Sequence, residues 1–510
     1  MIDIYGYYET MHEIMGTQSQ TDRMDKEKRF GQIFTPPYLV DDILDFSGYS
    51  GSAILHKHAI DNSCGDGAFL AAMARRYCDA FFCTHGEDDK KALAQQLEKF
   101  IHGIEKDEIS HAACMARMRQ LESDANLPPV NWDIRCADAL RVRDFDGRMD
   151  FVIGNPPYVR VHNLENTFAQ VKQHTFCGGG MTDLYLVFYE IGLNMLASGG
   201  RLCYIAPSSW INSVAGQHMR AYLQSSGYLR AIADLEHFQP FNATTYTAIT
   251  LLEKGQRASQ FAYYVYEGER KLRFVDNLPY GEAFFDGVLF LGSRQTLDEL
   301  RAIKTSALPP RVEVKNGFAT LVDDVFIADK FPFARFTIPV IKASTGAWRT
   351  ALYPYDSNGK PLPRDAVFAD ADVAAYLRAR EDALRKGRDS TQCPDWHLYG
   401  RSQALKDVWA HKYAINTVIR DVSSIKLNPA PRGAGVYGGL YILTNASEQQ
   451  IRKALLCDDF IRYIAALKKY KSGGYYTFNS RELKQYLNHA LREADNVHAG
   501  KKHQQMALFH

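Results

Sequence analysis

Long apolar runs are missing from this 510-residue chain, and none approaches the roughly 18 residues that a membrane-spanning helix requires. Its opening residues, MIDIYGYYETMHEIMG, lack both the basic and the apolar block of a secretory leader, so a cytoplasmic location is expected. Cysteine is scarce and badly spaced. The nine thiols, Cys64, Cys78, Cys83, Cys114, Cys136, Cys177, Cys203, Cys393 and Cys457, include no C-x-x-C pair. Neither a disulfide framework nor a structural zinc site is expected from that pattern, and most of these thiols are expected to be small core side chains. Internal repeats, heptads and low-complexity tracts are also missing, which sets aside solenoids and coiled coils.

What is present is enough hydrophobic residue, 46%, to bury more than one core, so two or three domains are expected. The formal net charge of +1 conceals an asymmetry. Residues 1–254 carry 23 Lys and Arg against 32 Asp and Glu, a net of −9, and residues 255–510 carry 37 against 27, a net of +10. The basic excess is steepest after Arg401, where lysine and arginine alternate with tyrosine. An acidic catalytic half joined to a half that meets a polyanion would look like this, and so would solvated basic helix faces.

From about residue 57 to 254, short apolar runs alternate with helical stretches: HKHAID then AFLAAMARRYCDAF, FIHGIE then ISHAACMARMRQL, MDFVIGN, DLYLVFYEIGLNML, and GRLCYIAP. The rhythm predicts an α/β domain, a mostly parallel sheet wrapped by helices, with ligands at the carboxyl ends of the strands. After residue 255 the rhythm breaks into β-rich pieces such as QFAYYVYEGERKLRFV and turn-rich YPYDSNGKPLPRD. A catalytic domain over 1–254, entered through a helical segment 1–30, a second domain over 255–495 and a loose tail over 496–510 are therefore expected. Within the second domain, 446–488 reads as helix, Gly-rich turn and helix.

The strand ends carry the candidate chemistry. DNSCGDG places Asp61 at a strand tip, with Gly65, Asp66 and Gly67 in a tight loop that opens a helix; it lacks the third glycine of G-x-G-x-x-G. Asp61 and Asp66 would repel a pyrophosphate and suit a cationic, amino-bearing ligand. Glu105 ends the second strand, where a carboxylate can accept from ribose hydroxyls, and Asp138 follows the third, where it could accept from an adenine amine. Taken singly, each could equally be a solvated loop carboxylate.

The fourth run, MDFVIG, delivers Asn155-Pro156-Pro157-Tyr158. The prolines lock φ and offer no N–H, so the Asn155 amide and the Pro156 carbonyl form a stiff pair of acceptors. Two such oxygens can bind both hydrogens of a planar exocyclic amine and draw its lone pair out of ring conjugation. Tyr158 offers a face on which a heterocycle could stack.

In order, GQIFTPPYLVDDIL, DNSCGDGAFL, GIEKDE, CADAL, GNPPY, DLYLVFYE, GGRLCYIAPSSW and FNATTYTAITLLEK resemble the blocks of the gamma-class N6-adenine DNA methyltransferases of restriction-modification systems, the TaqI, Eco57I and PstI kind. The resemblance implies a Rossmann-like class I S-adenosylmethionine-dependent methyltransferase domain followed by a mixed α+β target-recognition domain. It implies methyl transfer to N6 of a flipped-out adenine in double-stranded DNA, leaving S-adenosylhomocysteine. Thr35 and Pro36 would contact the methionine moiety, Asp61, Asp66 and Gly65 the loop side of the cofactor, Glu105 its ribose and Asp138 its adenine. Asn155 and Pro156 would hold the target amine, with Tyr158 and Phe241 sandwiching the base and Phe238 competing for the second place. No metal is implied. The insert CTHGEDDKKALAQQLEKF lengthens the gap between Asp61 and Glu105 beyond that of a minimal unit.

In the basic half, Arg401, Gln403, Lys471 and Tyr476 are candidate DNA contacts, and VKNGFATLVDDVFI and YGRSQ resemble blocks of Type II specificity domains, the PstI and BsuBI kind included. A separately encoded restriction endonuclease would be the partner, or the enzyme would be solitary; about 30 residues before the first block leave no room there for a nuclease. Cytosine N4, RNA guanine and protein glutamine are alternative acceptors, since each presents an amine or amide nitrogen. A non-enzymatic DNA-binding descendant and a nicotinamide dehydrogenase fit less well, because the amine-holding corner is intact and the phosphate fingerprint is incomplete and acidic.

Overall fold

The computed structural model describes residues 35–86, 89–159, 168–178, 183–241, 245–305, 310–386 and 394–492. The helical segment expected over 1–30, the tail over 496–510 and Cys393 lie outside them. The chain divides into two compact units, Met1–Leu297 and Asp298–His510.

The first unit is built on one nine-stranded sheet. Its strands are β1 (Ala59–Asp61), β2 (Ile101–Glu105), β3 (Asp133–Cys136), β4 (Met149–Gly154), β5 (Leu196–Pro207), β6 (Leu229–Asp234), β7 (Thr247–Glu253), β8 (Gln260–Tyr266) and β9 (Leu272–Pro279), in the order β3-β2-β1-β4-β5-β7-β6-β8-β9. The pairs from β3 to β5 are parallel, while β7 runs antiparallel to both β5 and β6. Every residue of β1 and β2 is buried, as central strands covered on both faces must be.

Helix α1 (Pro37–Ser47) starts with proline at its first position, where a missing N–H costs nothing. Helix α2 (Ala68–His85) buries Phe69, Met73, Tyr77 and Phe81, four residues apart, with Leu70 and Ala74 beside them, which is the stripe one helical face requires. Helix α3 (Lys90–Phe100) accounts for the long insert, so the chain still returns in register, with Asp61 opposite Gly103. Helix α4 (Glu108–Asp124) is capped by Asp107, whose carboxylate accepts from Ser110 N at 2.9 Å. Helix α5 (Leu184–Met195) is the DLYLVFYE stretch.

The boundary expected at Lys254 falls inside this sheet. The stretch QFAYYVYEGERKLRFV forms β8 and the first half of β9; β8 pairs in parallel with β6, and the first unit runs on to Leu297. Alternating burial along β8, which pairs with β6 on one side and β9 on the other, marks a strand covered on one face, so the loss of the βα rhythm at 255 signals the end of the crossovers and not of the domain.

The second unit is mixed α+β. Val312–Asn316, Leu440–Thr444, Lys412–Ile415 and Leu427–Ala430 form a four-stranded antiparallel sheet. A second four-stranded sheet contains Ile327–Ala328, Trp348–Leu352, Thr337–Lys342 and Gly435–Tyr437, and a small third one joins Val418–Ile419, Tyr475–Thr477 and Tyr470–Lys471. Around 446–488 the expected first helix is split into Glu448–Leu455 and Asp458–Ala466, the Gly-rich turn is the tip of a hairpin, and 480–492 is helical.

Candidate active site

Strand order reverses between β1 and β4, and the crevice outside the carboxyl ends at such a reversal is where open α/β sheets bind ligands. Asp61 ends β1 and Gly154 ends β4, side by side. A side chain at Gly154 would place its Cβ 2.5 Å from Asp61 Oδ1, so only glycine lets the carboxylate and the Asn155 corner approach each other.

The corner is held from three elements. The Asn155 amide donates from Nδ2 to Thr35 Oγ1 at 3.1 Å, just before α1. Ser63, in the loop after β1, donates its hydroxyl to the Asn155 carbonyl at 3.4 Å. Tyr158 donates to the Ile205 carbonyl of β5 at 3.2 Å. Pro156 is buried and Asn155 is half-buried. Ser63 was not among the expected site residues, although it lies inside the DNSCGDG block.

The loop after β1 is equally well anchored. Cys64 N donates to Ile104 O at 3.0 Å, and Gly65 N donates to Glu105 Oε2 at 2.8 Å. Glu105 Oε1 accepts from Asp107 N at 2.7 Å, so this carboxylate organises the loop as well as standing at the β2 tip expected of it. Gly65 has φ of +55°, and a Cβ there would meet nothing within 4 Å, leaving the loop backbone open to close approach by a ligand.

Asp61 is 1% exposed and accepts from Ser63 N at 3.0 Å. Burial, with Glu105 and Asp66 adding repulsion, pushes its carboxyl up to about 8. Such a carboxylate is suited to a cationic ligand group. Asp66 is engaged by Arg117 at 2.6 Å, which distinguishes the two loop aspartates: Asp66 holds α4, whereas Asp61 is buried against Ser63 N and Gly154. Asp138, half-buried, accepts from Leu140 N at 3.1 Å and from Lys106 Nζ at 2.8 Å.

The two rings expected to sandwich the base lie in contact with each other. Tyr158 and Phe241 are neighbours, with ring centroids 6.5 Å apart, but the planes meet at 81°. A base stacked between them needs parallel faces, and Phe241 is buried in the core, immediately before residues 242–244, which lie outside those described. Phe238 packs against Tyr266 at 5.4 Å.

In the second unit, the two blocks singled out in sequence pack on each other. Gly400 N donates to Thr320 O at 3.0 Å, Arg401 N to Ala319 O at 3.2 Å, and Gln403 Nε2 to Gly317 O at 2.6 Å. Gln403 thus spends one donor on the protein itself. Gln403 also lines a groove of about 530 Å³ together with Lys315, Asn358, Ser402 and Lys406. Arg401 is exposed. Lys471 is exposed on the small third sheet, and Tyr476 of that sheet is half-buried with its ring 5.9 Å from Tyr470.

Among the described residues, Cys64, Cys78, Cys114, Cys177 and Cys203 are buried free thiols, Cys83 and Cys136 are exposed and Cys457 is half-buried. No described helix is long and apolar enough to cross a membrane.

Residues 67–241 match the model of the Eco57I restriction-modification methylase family. The Type II methyltransferase M.XhoI of Xanthomonas vasicola is 32% identical over 241 residues, covering 45% of this chain and 43% of that protein. M.BstVI of Geobacillus stearothermophilus is 29% identical over 237 residues, covering 44% and 42%. The combined Type II restriction enzyme and methyltransferase RM.Eco57I of Escherichia coli is 25% identical over 482 residues, covering 74% and 48%. The chain thus spans less than half the length of these curated relatives. Among solved structures, the Type IIL restriction-modification enzyme MmeI in complex with DNA superposes with a TM-score of 0.57 at 14% identity, covering 87% of this chain and 63% of that one. The fold shared with that structure is a mixed, largely parallel α/β sheet with a further C-terminal domain. Across residues 67–241 the chain carries an Eco57I-like restriction-modification methylase domain, in a block order that fits the gamma class.

Proposed function

We propose that this chain is a site-specific DNA methyltransferase of a restriction-modification system, or a solitary one, that methylates the exocyclic N6 of an adenine flipped out of double-stranded DNA. The observation that carries this reading is the Asn155-Pro156 corner, tied to Thr35 and Ser63 at the switch point of the sheet, beside a glycine loop with a buried carboxylate. S-adenosylmethionine, when bound, supplies an electrophilic methyl group on a sulfonium sulfur. Asp61 suits the cationic amino end of that molecule, the open face of Gly65 leaves it room, and Glu105 and Asp138 stand at successive strand tips for its ribose and adenine.

The chain's own residues would do the rest by positioning. Asn155 Oδ1 and the Pro156 carbonyl accept the two hydrogens of the target amine and pull its lone pair out of the ring, towards the methyl group. The proton leaves after transfer, when the nitrogen is cationic. A base inside a duplex cannot reach a sheet edge, so it must be extruded at a cost of a few kcal/mol, offset in part by stacking on Tyr158. The basic second unit, with Arg401, Gln403, Lys471 and Tyr476, would serve as the target-recognition domain, and a separately encoded restriction endonuclease would be the partner.

The test is methyl transfer from labelled S-adenosylmethionine to unmethylated genomic DNA, RNA and protein in parallel, followed by nucleoside analysis. Label in N6-methyladenine is expected. Label in N4-methylcytosine would move the target to the other exocyclic amine, and label only in RNA or protein would overturn the reading.

A further inference from the structure

Thr35 is expected from the family resemblance to contact the methionine end of the cofactor. Its hydroxyl, however, lies 3.1 Å from Asn155 Nδ2, the side chain that would grip the target amine. The two residues stand in the same local sequence. Thr35-Pro36-Pro37-Tyr38 and Asn155-Pro156-Pro157-Tyr158 each place a polar side chain directly before two prolines and a tyrosine. A residue before proline is confined to extended backbone, and the proline after it has a fixed φ, so both partners of this bond have little conformational freedom.

Each is also anchored on its far side. Pro36 O accepts from Leu39 N at 3.0 Å and from Val40 N at 3.1 Å, which fixes Thr35 to the start of α1. Ser63 holds the Asn155 carbonyl at 3.4 Å. Thr35 is 9% exposed, so water does not readily take the place of its hydroxyl.

A carboxamide has two ends of similar shape and opposite hydrogen-bonding sense. An amine can be gripped only by the oxygen end; with the amide turned over, two NH2 groups would face each other. A hydroxyl can accept from Nδ2 or donate to Oδ1; here it accepts from Nδ2, the state in which Oδ1 is turned away from Thr35. We propose that Thr35 is a positioning residue: by accepting from Asn155 Nδ2 it fixes the carboxamide with Oδ1 towards the substrate nitrogen. This rests on the methyltransferase reading above and assigns Thr35 a role beyond cofactor contact.

The test uses the full chain, tritiated S-adenosylmethionine and unmethylated genomic DNA in single-turnover assays, with S-adenosylmethionine affinity measured by calorimetry. Thr35→Val keeps the shape and removes the acceptor, and Thr35→Ser restores it. Expected at saturating S-adenosylmethionine is a transfer rate about 10- to 100-fold lower for Thr35→Val, over and above any loss of S-adenosylmethionine affinity, and near wild-type rate for Thr35→Ser. Asn155→Asp provides the discriminating background, because a carboxylate has no amide end to misdirect. Adding Thr35→Val to Asn155→Asp is expected to lower its residual rate by less than about threefold. An equal loss in both backgrounds, or a loss explained wholly by weaker S-adenosylmethionine binding, would overturn the role. Absence of transfer to any nucleic acid or protein by the wild-type chain would instead overturn the underlying reading, so the two failures are distinct.

Discussion

The two units of the chain solve different problems with different architecture. The first is built on one large nine-stranded sheet, and it carries 28 Lys and Arg against 37 Asp and Glu, a net of −9. The second is a set of small separate sheets carrying 32 against 22, a net of +10. Moving the boundary from Lys254 to Leu297 leaves the contrast intact, since residues 255–297 hold five charges of each sign. A parallel sheet brings residues from distant parts of the chain to one edge. Thr35, Asp61, Glu105 and Asn155 meet there because their elements start or end there. The second unit has no such common edge, and its candidate contacts sit on separate loops and sheets.

If chemistry belongs to the first unit alone, the sharpest break is Asn155→Ala. Removing one preorganised acceptor is expected to lower single-turnover methyl transfer by about 10³-fold, while S-adenosylmethionine and DNA affinities stay within a few-fold. Undiminished turnover would contradict the amine grip. A matching loss of DNA affinity would blur the division of labour between the units.

A change confined to the second unit should act on stability instead. Lys412 is buried, and its ammonium donates to the Asp407, Val408 and Ala410 carbonyls at 2.9–3.0 Å. Lys412→Met leaves those carbonyls without their donor and is expected to cost about 2–4 kcal/mol. In a denaturation profile the cost should appear in the transition of the second unit, with fluorescence or proteolysis of each unit separating the two. A loss of the first unit's transition of the same size would mean that the units unfold together.

Much of the first unit is legible in the sequence because the candidate site residues Asp61, Glu105 and Asn155 each end or follow an apolar run. Burial on both faces produces continuous runs such as FIHGIE, and the residue just past such a run must lie at the sheet edge. What was not legible there depends on side-chain partners. The division between Asp61 and Asp66 is decided by Arg117, 51 residues beyond Asp66, and the edge-on Phe241 by core packing. The sheet runs on past Lys254 because β7, β8 and β9 follow one another without a helical crossover, which leaves no βα rhythm to announce them. In the second unit, the blocks around Gly317 and Gln403 were visible as blocks, but their contact joins residues 86 apart and follows no periodicity.

A smaller effect sharpens the electrostatic side of the comparison. The Asp61 carboxyl lies at about 8 in the folded chain, while its ordinary value is near 4. Between those values the native state holds a proton that the unfolded state has lost, so stability of the ligand-free chain should fall as pH rises from about 4 to 8. A cationic ligand favours the ionised form. Its binding should therefore release a proton below pH 8, and affinity should rise up to about tenfold per pH unit towards that value. Calorimetry in buffers of different ionisation enthalpy reads this directly. Asp61→Asn should weaken S-adenosylmethionine binding about 10-fold and abolish the proton release; retained release would place the titrating group elsewhere.

The mildest expected effect tests whether the positive charge of the second unit faces DNA. A cation that neutralises one phosphate contributes about 0.9 to the slope of log affinity against log salt, whatever the sequence bound. Arg401→Gln and Lys471→Gln are each expected to reduce that slope by about one and to weaken binding to all duplexes alike. Arg119, exposed on α4 of the acidic unit, provides the contrast: Arg119→Gln should leave the slope unchanged. If Arg401 and Lys471 behave like Arg119, their charge solvates the second unit and does not contact phosphate. If Arg119 lowers the slope as they do, the duplex also lies along the acidic unit's surface, and net charge no longer predicts which surface it follows.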